Sequence, residues 1–344
     1  MIRNLFLRVN GRGNAWPVPL GQEHPFYSRP GIPDYANASF SLLIKDLDEH
    51  ILTDILIDAG HGIIPFLLSH ENRIPEAIVI THPHFDHILG MDWIIQSYYR
   101  FRGKKPYPVY TTRGCRQQIL DTLPHLASLA VFHELGYGKT VPVSETEGLT
   151  VTAYPVYHGP HARGAAMLLF EWKASGKRIV FTGDLLFPLL RKSDIGHLQG
   201  IDWLIADANN RFPYPESNHW SVVRSEPEDH QYLLPWFGEL TTDQVMLPHQ
   251  YQGYREYNYL LKCFQDFPSA KMQPLTVSNL VRRLSPSNLI LTHYSGLEDA
   301  KYYGEKLLDV QGLEKWGQQM MEKAGVTVKV MVPHTGEILK LERD

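Results

Sequence analysis

The chain has 344 residues, enough for one large or two modest domains with a sizeable buried core. Its 43% apolar and 20% charged residues exclude the disordered and fibrous classes. Lys and Arg total 33 against 37 Asp and Glu, so a formal charge of -4 provides no global positive field for nucleic acid. A local basic groove is still compatible with these totals.

The two cysteines, Cys115 and Cys263, are far apart and form no Cys-x-x-Cys pair. This pattern indicates neither a disulfide framework nor a thiolate zinc site, and we interpret both cysteines as packing residues. The N-terminus lacks an apolar core of signal-peptide length, and no run of about 18 uncharged apolar residues occurs. We therefore expect a cytoplasmic protein with no membrane partner.

Short apolar runs alternate with turn signals and amphipathic stretches, which is typical of a layered α/β protein. The runs predicted as strands are 4–9, 41–46, 55–60, 77–82, 149–158, 165–172, 178–184, 203–208 and 288–293. Apolar residues from Ile88 to Tyr98 follow helical spacing, so the strand ending at His82 leads through a loop into a helix. A helix pattern over 298–323 precedes VTVKVMV (326–332), which is predicted to close a sheet edge.

The stretch 209–287 differs in composition from the rest of the chain. It is rich in Tyr, Trp, Pro and His and has weak helix and strand patterns. Because no repeat or linker composition separates it, we predict one domain over 1–344 with 209–287 as a cap or insertion within it. Its aromatic residues favour core packing, with base stacking as the less common role.

The sharpest motif is the loop His82-Pro83-His84-Phe85-Asp86-His87, which follows a predicted strand and precedes a predicted helix. A tight loop there can aim imidazoles and a carboxylate at one point, and these are ligands of borderline metals. A lone histidine is usually an ordinary surface residue, but four ligand-type residues in six positions favour a metal site.

Three more ligand-type residues stand at the ends of apolar runs, namely His158, Asp184 and His293. Strand ends share the rim of a sheet, so side chains distant in sequence can converge there. With the loop, they supply five histidines and two aspartates, enough for two metal ions.

This combination resembles the metallo-β-lactamase superfamily of αββα hydrolases, whose motifs occur here in the family's order. The resemblance implies an αββα sandwich and two divalent metal ions. It implies one ion on His82, His84 and His158, the other on Asp86, His87 and His293, with Asp184 between them. Asp58 would orient a ligand from behind, as the family's early aspartate does.

Two divalent ions about 3.5 to 4 Å apart lower the pKa of a shared water, so that a bridging hydroxide exists at neutral pH, and hold an anionic oxygen during displacement. Imidazole and carboxylate ligands suit Zn, Mn and Fe alike. We take zinc as the first choice.

The opening GRGNAWPVPLG (11–21) followed by NASFSLLI (37–44) resembles the phosphodiesterase branch, which includes ribonuclease Z and a cyclic ribose-phosphate phosphodiesterase. Gly and Pro also mark any sharp turn. The cysteines that some cyclic-phosphate members carry after this turn are absent here, and the long arm with which the family grips tRNA is not recognisable.

In that branch an acidic residue after a strand and a downstream histidine protonate the leaving oxygen. Asp207, in IADANN, and His219, in NHW, take those positions. A histidine near a carboxylate can stay protonated near pH 7, as a general acid requires. The alternative is a solvent-facing His219 in a Pro-rich loop.

We therefore predict a dimetal phosphodiesterase in which Asp86, Asp207 and His219 are catalytic. Its expected substrate is a cyclic nucleotide, a cyclic sugar phosphate or a short RNA. Hydrolysis of an ester, lactone or thioester is the alternative, followed by a metal-stabilised scaffold protein. The oligomeric state is open, and a homodimer fits as well as a monomer.

Overall fold

The computed structural model contains two β-sheets packed face to face between two outer layers of helices. This αββα sandwich confirms the predicted fold class. The structure describes residues 3–17, 36–158, 162–184, 187–188, 190, 192–208, 277–294, 308–323 and 325–342.

The first sheet has seven strands among the described residues. They are β1 (Asn4–Gly11), β2 (Ser39–Lys45), β3 (Ile51–Ile57), β4 (Ala77–Val79), β5 (Tyr107–Thr111), β6 (Ala130–Glu134) and β15 (Ile338–Lys340). Their spatial order is β15-β1-β2-β3-β4-β5-β6. The pairs from β15 to β3 are antiparallel, and those from β3 to β6 are parallel.

The second sheet contains the remaining described strands. They are β7 (Thr140–Ser144), β8 (Leu149–Tyr157), β9 (Ala166–Trp172), β10 (Lys177–Phe181), β11 (Phe187–Pro188), β12 (Trp203–Asp207), β13 (Asn288–Thr292) and β14 (Lys329–Met331). Strands β10, β12, β13 and β14 are parallel neighbours, while β7, β9 and β11 pair antiparallel with β8. Strand β14 lies at the edge of this sheet, beside β13, which confirms the prediction that residues 326–332 close a sheet edge.

Helices cover the outer face of each sheet. On the first sheet lie α1 (Ile63–Ser69), α2 (Phe85–Ile88), α3 (Met91–Phe101), α4 (Arg113–Thr122) and a 3-10 helix (Pro124–Ser128). On the second lie α5 (Lys192–Leu198), α6 (Val277–Leu284) and α7 (Val310–Lys323). None of the helices in the described ranges is long and apolar enough to cross a membrane.

Alternation along the strands explains the layers. Ile55 and Ile57 face the space between the sheets, where they pack with Leu168 and Phe170, while Leu56 faces the outer helices. Residues of opposite parity point to opposite faces of a strand. Buried side chains on both faces therefore require a second sheet on one side and helices on the other.

The segment predicted as a cap lies partly in the body of the domain. Residues 277–284 form α6, whose side chains Val277, Leu280, Val281 and Leu284 are buried in the outer core of the second sheet. Residues 209–276 are outside the described residues, so the cap stays a prediction for that stretch. Cys115 is buried, as expected of a packing residue, and burial raises its pKa to about 12. Cys263 is outside the described residues.

Candidate metal centre

The predicted ligands that the strands carry meet at one rim of the sandwich. His82 follows β4, His158 follows β8, Asp184 follows β10 and His293 follows β13. All four side chains are buried, with exposures of 0 to 5%. The strand ends therefore converge as the sequence predicted.

The ligand-type atoms form two groups, each with all its atoms within 4.8 Å of one another. The first group is His82, His84 and His158, and the second is Asp86, His87, Asp184 and His293. In the first, His158 Nε2 lies 3.2 Å from His84 Nδ1. In the second, Asp86 Oδ2 lies 3.4 Å from His87 Nε2 and 3.5 Å from His293 Nε2.

Asp184 lies between the two groups. Its Oδ2 is 3.0 Å from His293 Nε2 and 3.5 Å from His87 Nε2. The same oxygen is 3.8 Å from His158 Nε2 and 3.9 Å from His82 Nε2. One carboxylate oxygen thus faces histidines of both groups, which is the position a bridging ligand requires.

The Nε2 atoms of His82 and His87 are buried and have no hydrogen-bond partner among the described residues. Leaving a buried polar atom unpaired costs about 1 to 3 kcal/mol. A divalent ion accepts electron pairs from such nitrogens and satisfies them without a donor hydrogen. The residues present therefore fit a metal centre, and the mixture of imidazole and carboxylate suits Zn, Mn or Fe.

Asp58 contacts the proposed ligand His87 at the ring nitrogen that faces away from the metal centre. Its Oδ1 and Oδ2 accept hydrogen bonds from the Thr81 amide at 2.8 Å and the Thr81 hydroxyl at 2.7 Å. His87 Nδ1 lies 2.8 Å from Asp58 Oδ2. A carboxylate at Nδ1 directs the other ring nitrogen toward the centre, which is the role predicted for Asp58.

Asp207 has a contact that the sequence did not predict. Its Oδ1 lies 3.3 Å from His293 Nδ1, and its amide donates to Thr182 Oγ1 at 3.1 Å. The parallel register pairs Asp207 with Thr292, which places the carboxylate beside the next residue, His293. Only the strand pairing reveals this contact. His219, the predicted partner of Asp207, lies outside the described residues.

Four carboxylates, those of Asp58, Asp86, Asp184 and Asp207, stabilise positive charge on the histidines of the centre. Burial lowers the pKa of His293, but Asp184 and Asp207 outweigh it and raise the pKa to about 10. Burial likewise opposes the charged form of His87, whose pKa Asp184, Asp86 and Asp58 raise well above its usual range. In the metal-free protein, protons on His87 and His293 offset this negative charge, and bound metal ions would displace those protons.

The pKa values of His82 and Asp86 are lowered. Burial, reinforced by the neighbouring histidines, holds the pKa of His82 well below its usual range, so its imidazole is neutral. Burial alone would raise the pKa of Asp86, but His87 and His293 hold it well below its usual range. A neutral imidazole and an ionised carboxylate are the forms that bind metal.

Local backbone geometry supports this placement. Asp58 and His293 adopt positive φ values of 56° and 58°, which cost non-glycine residues conformational energy. A Cβ at Gly60 would lie 1.7 Å from the Asp86 carbonyl oxygen, so only glycine allows this loop to approach the ligand loop. Gly183, at φ 55°, likewise passes close to Thr81 just before Asp184.

Other histidines in the described part of the chain lie outside both groups. His70 stacks on Phe66 with ring centroids 4.0 Å apart, and His125 Nε2 lies 2.6 Å from Asp92 Oδ1. Neither imidazole belongs to the metal centre.

Comparison with known proteins identifies relatives of this chain. The family model described as the beta-lactamase superfamily domain matches residues 53–294, which include all seven proposed ligands. Ribonuclease Z of Bacillus subtilis is 26% identical over 292 residues, covering 82% of this chain and 89% of that protein. Ribonuclease Z of Staphylococcus carnosus is 33% identical over 124 residues, 33% of this chain.

The match to some relatives is partial. Endoribonuclease ysh1 of Schizosaccharomyces pombe is 26% identical over 140 residues, 36% of this chain. The aligned parts span 17% of ysh1 and 39% of the Staphylococcus enzyme. Among solved structures, a diphosphatase of the PhnP family superposes with a TM-score of 0.57 at 16% identity, covering 98% of each chain. At that identity the likeness concerns the fold.

Proposed function

The chain belongs to the β-lactamase superfamily, and on that premise we propose that it is a hydrolase that cleaves phosphodiester bonds with two divalent metal ions. Similarity to proteins named ribonuclease Z and endoribonuclease supports the phosphodiesterase activity. The same similarity favours RNA over cyclic nucleotides and cyclic sugar phosphates as the substrate.

One observation carries the proposal. Five histidines and two aspartates surround a common point, and the buried Nε2 atoms of His82 and His87 have no hydrogen-bond partner in the described ranges. A purely structural cluster would pair such atoms. We assign His82, His84 and His158 to one ion, Asp86, His87 and His293 to the other, and Asp184 to both.

Two divalent ions bound there would supply a water of lowered pKa and positive charge to stabilise the phosphate oxygens. The chain's own residues determine the geometry. Asp58 fixes the ring of His87, and Asp207 contacts the ring of His293 from the side away from Asp184. Both carboxylates restrain ligand rotation, and such partners typically change metal affinity 10- to 100-fold.

The leaving oxygen needs a proton, because an alkoxide departs poorly without one. We propose His219 as the donor, as the position of NHW after the strand that ends at Asp207 suggests. Asp207 has two carboxylate oxygens, and Oδ1 faces His293. Asp207 would therefore assist His219 through Oδ2, while its Oδ1 supports His293.

A substrate panel tests the proposal. Protein stripped of metal and reloaded with Zn²⁺ or Mn²⁺ is assayed on bis(p-nitrophenyl) phosphate, a 2′,3′-cyclic nucleotide, a short oligoribonucleotide, p-nitrophenyl acetate and a lactone. We expect hydrolysis of the phosphodiesters to exceed that of the esters and to require metal. Faster hydrolysis of the carbon esters would instead indicate the ester and lactone alternative.

A matched control is available within the chain. Asp46, Asp48 and His50 form another group of ligand-type residues, with Asp48 exposed in the turn between β2 and β3. Asp184→Ala should remove the activity, whereas Asp48→Ala should retain it. Equal losses in both variants would contradict the assignment of the centre.

A further inference from the structure

An exposed apolar stripe begins at the metal centre and follows the first-sheet helices. Its members are Phe85, 58% exposed, Leu89, 40%, Trp93, 61%, and Phe101, 80%. They are four of the nine large hydrophobic residues that are exposed in the described part of the chain. Large exposed apolar residues scattered singly are normal, but four of them on two consecutive helices indicate a binding surface.

The stripe spans α2 and α3, which a two-residue turn joins. The Gly90 amide in that turn donates to the Ala59 carbonyl at 2.6 Å, so the backbone hydrogen bonds of the two helices are not continuous. Phe85 and Leu89 lie one turn apart, since the Leu89 amide donates to the Phe85 carbonyl at 3.0 Å, and Trp93 lies in the first turn of α3. The helix then extends about 12 Å beyond Trp93.

The buried faces of α2 and α3 explain the orientation of the stripe. Ile88, Met91, Ile94 and Ile95 are buried in the core outside the first sheet. Because the core holds these residues, the stripe must point away from the sheet. Phe85 stands between the proposed ligands His84 and Asp86, so the stripe starts at the reaction centre.

Positive charge collects at the far end of the stripe. Arg100, Arg102, Lys104 and Lys105 are all exposed in the last turn of α3 and the turn after it. The acidic side chain on this helix, Asp92, lies 2.6 Å from His125 and also accepts from Gln96. A chain with a net charge of -4 thus has a local basic patch beside the stripe.

We propose that this surface, the α2–α3 track, binds the single-stranded RNA that adjoins the scissile phosphodiester. Bases stack on Phe85 and Trp93, and the basic patch contacts phosphates. Aromatic platforms with flanking cations are the usual way to hold single strands. The inference rests on the proposed phosphodiesterase function and extends it to a substrate several nucleotides long.

A second copy of the chain is the competing occupant. A twofold interface places the same patch on both subunits. The cores of such interfaces are depleted in Lys. A twofold contact along the track would gather two sets of four cations near one another, whereas phosphates would neutralise them. Charge therefore favours RNA.

The test is fluorescence anisotropy of the metal-loaded enzyme with a fluorescein-labelled dodecauridylate whose linkages are phosphorothioates, which slow cleavage. Trp93→Ala should weaken binding by about 5- to 150-fold, since stacking contributes about 1 to 3 kcal/mol per base. Lys104→Ala combined with Lys105→Ala should reduce the slope of log affinity against log salt by about 0.7 per lost phosphate contact. All three residues are exposed, so the fold should persist.

Matched controls come from elsewhere on the surface. Leu68, 55% exposed on α1, and Lys173, exposed in the turn after β9, are an exposed apolar residue and an exposed cation outside the track. Leu68→Ala and Lys173→Ala should leave both affinity and salt slope unchanged. The same losses in these controls would overturn the inference.

Two further outcomes would also overturn it. The first is an RNA affinity that neither track variant changes. The second is a dimer, seen by light scattering, that Trp93→Ala dissociates without weakening RNA binding. Hydrolysis of bis(p-nitrophenyl) phosphate by the wild-type enzyme tests the proposed function separately, so failure of the track and failure of the phosphodiesterase are distinguishable.

Discussion

Two buried polar clusters border the first sheet, and they differ in how they are satisfied. Beneath α1, the guanidinium of Arg8 is 1% exposed and each of its nitrogens has an acceptor: Asn10, Ser41, Asp54 and Glu71, at 2.9 to 3.1 Å. At the rim, the buried Nε2 atoms of His82 and His87 have no hydrogen-bond partner among the described residues. We call the first the Arg8 cluster and the second the metal-centre cluster.

The comparison separates structural from functional burial of charge. We call the Arg8 cluster closed because the arginine contacts two carboxylates, an amide and a hydroxyl within the fold, and only Asp54 Oδ1 lacks a hydrogen-bond partner among the described residues of this cluster. The metal-centre cluster is open, because its carboxylates outnumber the cations that the protein itself provides. A closed cluster should affect stability, whereas an open one should affect ligand binding and catalysis.

The largest effect is expected from Asp184→Ala. The variant loses the oxygen that faces both groups, so at least one ion should be lost with the several kcal/mol of transition-state stabilisation it supplies. Turnover of every phosphodiester should fall by about 10⁴-fold or more. Thermal unfolding of the metal-free forms should differ little. A variant that keeps wild-type activity with two bound metals would contradict the bridging position.

Next in size is His219→Ala on a substrate with a poor leaving group. General-acid help contributes about 10²- to 10⁴-fold, so kcat on an oligoribonucleotide should fall in that range with metal content unchanged. On bis(p-nitrophenyl) phosphate, whose phenolate leaves without a proton, the loss should be much smaller. Equal losses on both substrates would assign His219 to positioning or folding.

Arg8→Ala should affect stability and spare the chemistry. Removing one partner of a buried ion pair typically costs about 3 to 5 kcal/mol, because Asp54, 0% exposed, is left without its counter-charge. Denaturant unfolding measures this cost. Activity per folded molecule and metal content should match the wild type. A stable variant with lost metal would show that the two clusters are not independent.

A smaller effect is expected from Asp207→Asn. The substitution keeps the size of the side chain and weakens its contact with His293 Nδ1, so metal affinity should fall about 10- to 100-fold. Competition with a chelator measures this affinity. Asp58→Asn is the matched comparison, because Asp58 supports His87 in the same way. If Asp207→Asn lowers kcat without changing metal affinity, Asp207 acts with the proton donor instead.

Sequence reasoning predicted the ligand-bearing strands well, because each is a short apolar run that ends at a polar residue. It missed β5, β6, β7, β11 and β15. Strands β5 and β7 contain Pro108 and Pro142, and proline weakens a strand pattern, while β11 and β15 are only two and three residues long. It also missed the contact of Asp207 with His293, which depends on the register between β12 and β13. Register is a property of pairing that a single run of residues does not reveal.

Metal binding tests the central claim most directly. Metal-free protein is titrated with Zn²⁺ by calorimetry, and the bound metal is counted by elemental analysis for the wild type, Asp184→Ala and Arg8→Ala. We predict two ions per chain for the wild type and Arg8→Ala, and fewer for Asp184→Ala. Less than about one ion per chain in the wild type, with no rebinding on titration, would contradict an open cluster built to hold metal.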